Sequence, residues 1–336
     1  MPRSAPGFWQ GRGLVAWCLF PLSLLFASVA GLRRRLFALG LLKAERLPVP
    51  VIVVGNIAVG GSGKTPIALW LADALRARGR RPGIVSRGYG GSVEGAAEVP
   101  PGGDPARYGD EPVLMAALSG CPVWVGRDRP AAGRGLLAAH PEVDVLIADD
   151  GLQHYRLARD VEVVVVDEAT LGNHFRLPAG PLREGVGRLA EATVVLAHGG
   201  LSPRLRTALG RVPVFDFTLA GSAFERVGAR GERRQPAAFR GRRVHAMAGI
   251  GRPERFFRQL EAMGLEILRR PFADHHAFTP ADVALPDGDV LLMTEKDAVK
   301  CAPFAPAESW VWPVRAQLAP EAAELIVEKL DGPPTA

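Results

Sequence analysis

The chain has 336 residues, enough for about two domains of about 150 residues each, and its 48% hydrophobic and 23% charged residues exclude a disordered or fibrous protein. Its three cysteines, Cys18, Cys121 and Cys301, lie far apart without a CxxC pair, which argues against a disulfide framework and a thiolate zinc site and fits a reducing compartment. The net charge of +6 lies within residues 1–50, whereas a nucleic-acid-binding surface would spread over the fold, so the charge argues against nucleic acid and for a local anionic surface such as lipid headgroups.

The first predicted element is a membrane-associated helix. Residues 14–32 read LVAWCLFPLSLLFASVAGL, without a charged residue, and their helical length of about 28 Å is close to the hydrocarbon thickness of a bilayer. Trp9 and Trp17 lie near one end, where aromatic side chains favour the membrane interface, and three arginines follow at 33–35. We expect an uncleaved anchor; a cleaved signal peptide and a buried core helix are the alternatives. The flanking charges leave open whether the helix crosses the bilayer or lies in one leaflet.

Short apolar runs then alternate with helical patterns. Strands are predicted at 50–55, 83–86, 122–125, 144–148, 161–166, 193–197 and 212–217. Helices are predicted at 65–78, 112–118 and 131–139. This alternation predicts a doubly wound α/β/α layer with right-handed crossovers.

A second, smaller α/β unit is predicted after residue 220. Residues 221–243 are rich in Arg and Gly and are predicted as a connector. Strands are then predicted at 244–247, 265–269 and 290–293, and helices at 253–263 and 320–330. The predicted domains are 1–46 for the anchor helix and its basic flank, 47–220 for the larger α/β domain, and 221–336 for the smaller one.

The strongest motif is a phosphate-binding P-loop. Residues 58–65 read AVGGSGKT and fit the pattern at every position but the first, where the strict pattern has Gly instead of Ala58. An apolar strand precedes the loop and a helix follows, so backbone N–H groups of the glycine-rich turn can converge on a phosphate. Lys64 is expected to reach the β- and γ-phosphates and Thr65 to bind Mg²⁺. The predicted nucleotide-binding residues are Gly60, Gly61, Ser62, Gly63, Lys64 and Thr65. The fold class is therefore α/β, with a P-loop NTPase-like doubly wound domain, a smaller α/β domain and an N-terminal hydrophobic helix.

Acidic residues at two predicted element ends are candidates for the same site. Asp149 and Asp150 follow a buried strand, where ligand sites of α/β proteins gather, and one of them is expected to serve Mg²⁺. Asp110 and Glu111 lie at a predicted helix start, where a helix-capping role and a chemical role are equally supported by the spacing.

Two motifs of the predicted second unit each allow two interpretations. Asp274, His275 and His276 lie in a predicted loop. The adjacent histidines suggest a metal site, but no further ligand nearby completes one, so a histidine paired with a carboxylate as general base is the more specific hypothesis. The segment TEKD at 294–297 is weakly similar to the guanine-reading NKxD element, and a solvated strand end is its alternative. Lys296 is one of only five lysines beside 36 arginines, which suggests that a compact ammonium group is needed there.

Taken together, the motifs resemble the tetraacyldisaccharide 4′-kinase family, which uses ATP to phosphorylate a disaccharide lipid in lipid A biosynthesis. The match runs in the family's order over most of the chain, and many relatives have Asn-Gly where this chain has Asn173 and His174, which affects only a local turn. The matching segments are VVGNIAVGGSGKTP (53–66), SRGYGG (86–91), GDEP (109–112), ADDGLQH (148–154), LPAGPLRE (177–184), DHHAF (274–278) and TEKDAVK (294–300).

The resemblance implies two α/β/α units with the active site in the cleft between them. It implies transfer of the γ-phosphate of ATP to the 4′-hydroxyl of tetraacyldisaccharide 1-phosphate, giving lipid IVA, with Mg²⁺ as cofactor. The enzyme would act at the cytoplasmic face of the inner membrane, without nucleic acid or an obligatory protein partner. A membrane-associated P-loop ATPase switch without a lipid acceptor, and a GTP-dependent module, are the rival functions.

The resemblance also assigns roles to residues. Asp110 matches the catalytic carboxylate, acting with either His275 or His276, while Lys64 and Arg129 match basic residues at the transferring phosphate.

On the metal side, Asp149 and Asp150 match the acids that serve Mg²⁺ together with Thr65. Glu111 is expected to assist there. Neither the resemblance nor the spacing selects between the two aspartates.

Overall fold

The structure is a computed structural model and describes residues 6–332. Residues 1–5 and 333–336, which fall within the predicted first and last domains, lie outside the described residues. After a short 3-10 helix at Gly7–Gln10, the α-helices are α1 (Leu14–Ala38), α2 (Lys64–Arg76), α3 (Pro105–Tyr108), α4 (Asp110–Leu118), α5 (Arg129–Ala139), α6 (Pro203–Ala208), α7 (Pro253–Ala262), α8 (Pro280–Val283), α9 (Glu295–Cys301) and α10 (Pro320–Asp331). The strands are β1 (Val51–Gly55), β2 (Pro82–Ser86), β3 (Ala96–Glu98), β4 (Val123–Gly126), β5 (Val145–Asp149), β6 (Val161–Val166), β7 (Val194–His198), β8 (Val214–Ala220), β9 (Phe224–Arg226), β10 (Ala229–Arg234), β11 (Val244–Ala248), β12 (Ile267–Pro271), β13 (Val290–Thr294), β14 (Ser309–Trp312) and β15 (Arg315–Leu318).

The first sheet has the strand order β15-β8-β7-β6-β1-β5-β2-β4-β3. The strands from β8 to β4 run parallel, and β15 and β3 pair antiparallel at the two edges. Helices α2, α4 and α10 pack on one face, and α5 and α6 pack on the other. Because both faces are covered, β1 and β5 are continuous apolar runs instead of alternating ones. The predicted doubly wound layer is confirmed.

The second sheet has the order β10-β9-β14-β13-β11-β12. Strands β14, β13, β11 and β12 run parallel, and β9 and β10 form an antiparallel edge. Helix α7 buries Phe256, Phe257 and Leu260 on one face, whereas α8 and α9 bury Val283 and Cys301 on the other. This unit is the smaller α/β layer that the sequence predicted.

The prediction that 221–243 is a connector is wrong, because this segment contains β9 and β10. Its arginines do not mark a loop. Arg226 and Arg234 lie over the ring of Trp310, 5.7 and 4.4 Å from its centroid, and both pair with Glu232. Arginines that stack and pair in this way are compatible with an edge hairpin.

The C-terminal end differs from the predicted division at 221–336. Strand β15 pairs with β8 of the first sheet, and α10 packs against α2. The apolar face of α10 supplies Ala322, Ile326 and Leu330 to the core of the first unit. Residues 315–331 therefore return to the larger unit, which makes the second unit an insertion between β8 and β15.

Helix α1 extends beyond the predicted 14–32 and contains Pro21. It is long and apolar enough to cross a membrane by length and composition. Only 11% of its most apolar 18-residue window is buried. The alternative of a buried core helix is therefore wrong.

Candidate active site

The P-loop connects β1 to α2, as predicted, and its backbone requires glycine at two positions. Gly60 and Gly63 have φ of 111° and 92°, a region that residues with a Cβ avoid. The Asn56 side-chain amide lies inside the loop and donates to Ser62 Oγ at 3.0 Å. Helix α2 begins at Lys64, so its first N–H groups point into the loop. This arrangement is suited to hold the phosphates of a nucleotide.

Asp149 and Asp150 end β5, beside β1 and its P-loop, and differ in their partners. Asp150 Oδ1 lies 3.6 Å from Lys64 Nζ and 2.9 Å from Arg183 Nη1. Burial alone would raise the pKa of Asp150, but the charges of Lys64 and Arg183 outweigh it and lower the pKa. Asp150 is therefore an ionised carboxylate already engaged by two cations.

Asp149, by contrast, has a free oxygen. Its Oδ2 accepts from Ser86 Oγ at 3.2 Å, whereas Oδ1 is buried and has no hydrogen-bond partner within residues 6–332. Burial, with the nearby charges of Glu111 and Asp150, raises the pKa of Asp149 to about 7. A buried carboxylate oxygen that lacks a partner beside a P-loop fits a Mg²⁺ ligand. Within residues 6–332, no group of three His, Cys, Asp or Glu side chains is placed to hold a metal ion by itself.

Arg129 is the first residue of α5 and is only 2% exposed. Its guanidinium donates to the carbonyl oxygens of Gly126 at 3.1 Å and Asp149 at 3.4 Å. Burial lowers the pKa of Arg129 to about 10. The side chain thus fixes the end of β5 and places a buried positive charge beside the two aspartates.

Asp110 and His275 come together from the two units. Asp110 is the first residue of α4, and His275 lies in the loop between β12 and α8. His275 Nδ1 is 3.1 Å from both carboxylate oxygens of Asp110. Burial would raise the pKa of Asp110, but the His275 hydrogen bond and Lys296 and Lys300 outweigh it and lower the pKa. The Asp110 hydrogen bond raises the pKa of His275.

The neighbouring histidine has a different environment. His276 Nε2 lies 3.4 Å from Asp282 Oδ2, and its ring packs between Phe272 and Phe278, with both ring centroids at 4.8 Å. The structure therefore pairs Asp110 with His275, a choice that the sequence left open.

The sequence did not predict the position of Lys296. Its Nζ lies 3.2 Å from Glu111 Oε1 and 3.3 Å from Asp274 Oδ1. Glu111, predicted to assist at the metal, is thus placed against Lys296, although its charge still acts on Asp149. The scarcity of lysine and the family-matching segment TEKDAVK drew attention to Lys296, but neither indicated which side chains it contacts.

The TEKD segment also has a structural role. Thr294 caps α9, and buried Asp297 accepts hydrogen bonds from the Gly249 N–H at 2.9 Å and from Thr294 Oγ1 at 2.7 Å. These contacts join α9 to the end of β11. They account for the threonine and the aspartate without a guanine base.

A polar network behind the P-loop was not foreseen either. Gln153 Nε2 donates to the Asn56 carbonyl at 3.1 Å and to Glu184 Oε1 at 2.7 Å. Arg183 pairs with Asp150 on the same side, which connects the LPAGPLRE segment to the acids of β5. The two segments lie far apart in sequence, so their contact has no local pattern.

Comparisons with known proteins identify the family of this chain. A family model described as tetraacyldisaccharide-1-P 4′-kinase matches residues 15–331. Curated proteins named tetraacyldisaccharide 4′-kinase are similar over nearly the whole chain. The one from Aromatoleum aromaticum is 60% identical over 337 residues, covering 100% of both chains, and the one from an Azoarcus species is 58% identical, covering 97% of this chain and 95% of that protein. The solved structure of LpxK from Aquifex aeolicus, in complex with ATP, is 29% identical with a TM-score of 0.80 and covers 94% of this chain and 100% of that chain. The chain thus belongs to the tetraacyldisaccharide-1-P 4′-kinase family.

Proposed function

We propose that the chain transfers the γ-phosphate of ATP to the 4′-hydroxyl of tetraacyldisaccharide 1-phosphate, which gives lipid IVA in lipid A biosynthesis. The observation that carries the proposal is the Asp110–His275 pair formed across the two units beside a P-loop. The P-loop residues Gly60 and Gly61 border a crevice whose other side is formed by Gly251 and Arg252 of the second unit. A Cβ built on Gly251 would lie 3.7 Å from the Gly61 nitrogen and 3.4 Å from Asp274 Oδ2, so little space separates the loop from the DHH segment.

The residues of the site support a positioning mechanism for phosphoryl transfer. P-loop N–H groups and Lys64 hold the phosphates, and Arg129 adds a buried positive charge. Asp110, ionised because its pKa is lowered, accepts the proton of the sugar hydroxyl, and His275 holds the Asp110 carboxylate in place. Little covalent chemistry is required of the protein itself.

Mg²⁺ fits the acidic side of the site. Thr65 and Asp149 would hold the ion, since the Asp149 Oδ1 oxygen is unpartnered in the described chain while Asp150 is engaged by Lys64 and Arg183. When bound, the ion would neutralise charge on the β- and γ-phosphates.

The N-terminal helix supports a location at the cytoplasmic face of the inner membrane, where the lipid acceptor lies. Helix α1 contacts the body of the protein near both of its ends and in its middle, and near the first end the Trp17 ring lies 5.1 Å from that of Phe175. Ser23 donates to the Arg176 carbonyl at 2.7 Å and accepts from the Ala179 N–H at 3.0 Å. Near the other end, Arg34 pairs with Glu191, and the Phe37 ring lies 6.2 Å from that of Tyr155.

A helix held along the body at both ends lies parallel to the surface of its domain. This geometry favours insertion into one leaflet over a crossing of the bilayer. The face that would insert exposes large apolar side chains: Leu14, Val15, Leu22, Leu25, Val29 and Leu32. Basic residues on both flanks would contact anionic headgroups.

The test is acceptor-dependent transfer with a labelled nucleotide. Purified protein is incubated with γ-labelled ATP or GTP and Mg²⁺, with and without tetraacyldisaccharide 1-phosphate in mixed micelles. We expect label in the lipid, with ATP preferred. Free phosphate without labelled lipid would support the ATPase switch, and preference for GTP would support the GTP-dependent module; either result would contradict the proposal.

A further inference from the structure

Lys296 lies at the centre of a cluster of charged groups on the cleft between the two units. Its side chain is 16% exposed. Besides Glu111 and Asp274, its Nζ lies 3.7 Å from Asp110 Oδ2 and 3.5 Å from His275 Nε2. A lysine with four polar neighbours and little contact with water is held in one place.

The partners of Lys296 come from both units. Asp110 and Glu111 belong to α4 of the first unit, whereas Asp274 and His275 precede α8 of the second. Lys296 itself is on α9, which packs against α4. The second lysine of this helix, Lys300, also lies 3.9 Å from Asp110 Oδ2, but its Nζ is closer to Asp297, at 3.0 Å, and lies 4.8 Å from the Phe278 ring. Lys296 differs from Lys300 in that its Nζ lies within 3.7 Å of both members of the Asp110–His275 pair, and it thereby bridges the two units.

The hydrogen-bond donors and acceptors around His275 determine which ring nitrogen carries the proton of the neutral imidazole. An ammonium group has three donors and no acceptor, so the neutral imidazole nitrogen facing Lys296 has to be an acceptor. Asp274 Oδ1, the acceptor on the same side, lies 3.8 Å from Nε2, beyond hydrogen-bond distance. With Nε2 as acceptor, the proton of neutral His275 is on Nδ1 and points to the Asp110 carboxylate.

A lysine suits this position better than the arginine that the chain uses elsewhere. Its partners are single atoms of four different side chains from two units, whereas a guanidinium group matches the two oxygens of one carboxylate. A compact ammonium group can rotate its three N–H bonds toward partners in different directions.

We propose that Lys296 is a positioning residue, which bridges α4 to the DHH loop and holds neutral His275 as the Nδ1–H tautomer that orients Asp110. The inference rests on the proposed roles of Asp110 and His275. Lys296 need not touch the substrate. Its contribution is to hold Asp110 and His275, which lie on separate units, at hydrogen-bond distance from each other.

The tautomer is measured directly on the wild-type protein. The full-length chain, labelled with ¹⁵N-histidine and held in detergent micelles at alkaline pH, is compared with a His275→Gln variant to assign the His275 signals. We expect the shift pattern of the Nδ1–H tautomer, and a shift toward the Nε2–H tautomer in Lys296→Met. A wild-type His275 in the Nε2–H form overturns the proposal whether or not Lys296→Met folds.

Kinetics supply the second measurement. We expect Lys296→Met to lower kcat by about 100-fold, since a misplacement of about 1 Å costs a rate of that order, with the KM for ATP unchanged. Lys296→Arg should recover part of the loss, and Lys329→Met, at an exposed position of α10, is the matched control. Normal turnover of Lys296→Met beside an inactive Asp110→Asn refutes this inference alone, whereas normal turnover of Asp110→Asn refutes the proposed role of Asp110.

Discussion

At the scale of single residues, Asp110 is a buried carboxylate that stays ionised. It is 5% exposed, and burial alone would favour its neutral form. His275, Lys296 and Lys300 reverse that effect from the second unit. The lowered pKa of Asp110 and the raised pKa of His275 are two consequences of one hydrogen-bonded pair.

The His275 shift predicts how stability depends on pH. Because the pKa of His275 is raised in the folded protein, its contribution is fully present below the unfolded value of about 6.5 and is lost as the pH rises through the folded value. We therefore expect His275→Gln to lower the urea midpoint most at acidic pH and less at alkaline pH. A His276→Gln variant, which leaves the Asp110 pair intact, is the control. A stability loss that grows with pH would contradict the assigned pair.

Lys64 is the residue that we propose to contact the transferring phosphate at the P-loop. Its Nζ is held near Asp150, at the start of α2. We expect Lys64→Ala to reduce phosphoryl transfer by about 100-fold or more, because a preorganised charge on the transferring group is lost. The rate of label transfer to the lipid measures it, with Lys329→Ala as the control. Near-normal turnover would contradict the P-loop assignment.

At the scale of elements, α1 has one face packed against the protein and one exposed apolar face. One face buries Ala16 and Ser23 against the segment at 175–179, and the other exposes leucines and valines. A contiguous exposed apolar face of this kind is typical of a membrane contact.

Changes on the exposed face of α1 therefore affect membrane binding without affecting the fold. We expect the double variant Leu25→Asp and Val29→Asp to release the protein from anionic vesicles in a sedimentation assay, because charges are costly in the acyl region. Its thermal unfolding should match the wild type. Arg206→Ala, a surface change on α6 away from the helix, is the control. Persistent sedimentation of the double variant would contradict the inserted face.

At the scale of the whole molecule, the sequence predicted the elements better than their assembly. Apolar runs such as 51–55 and 161–166 identified the parallel strands, since strands buried on both faces need no alternation. The polar strand β15 has no such pattern, and its pairing with β8 returns the chain to the first sheet after the second unit. Long-range pairing of this kind has no local signal.

The same limit applies to the site. The P-loop and the acids of β5 were predictable because their spacing and strand ends carry the chemistry. The partner of Asp110 was not, since His275 and His276 are adjacent in sequence, and only the packing of His276 between Phe272 and Phe278 separates them. The bridge made by Lys296 likewise depends on how the two units meet.

In the proposed reaction, a base from one unit, oriented by the other, activates the acceptor hydroxyl. The most direct measurement is the rate of label transfer from γ-labelled ATP to tetraacyldisaccharide 1-phosphate by Asp110→Asn, with nucleotide binding measured in parallel. Asp73→Asn, at an exposed position of α2, is the control. We expect a loss of about 10²- to 10⁴-fold for Asp110→Asn, unchanged ATP binding and a normal control. Transfer by Asp110→Asn at the wild-type rate would contradict the account.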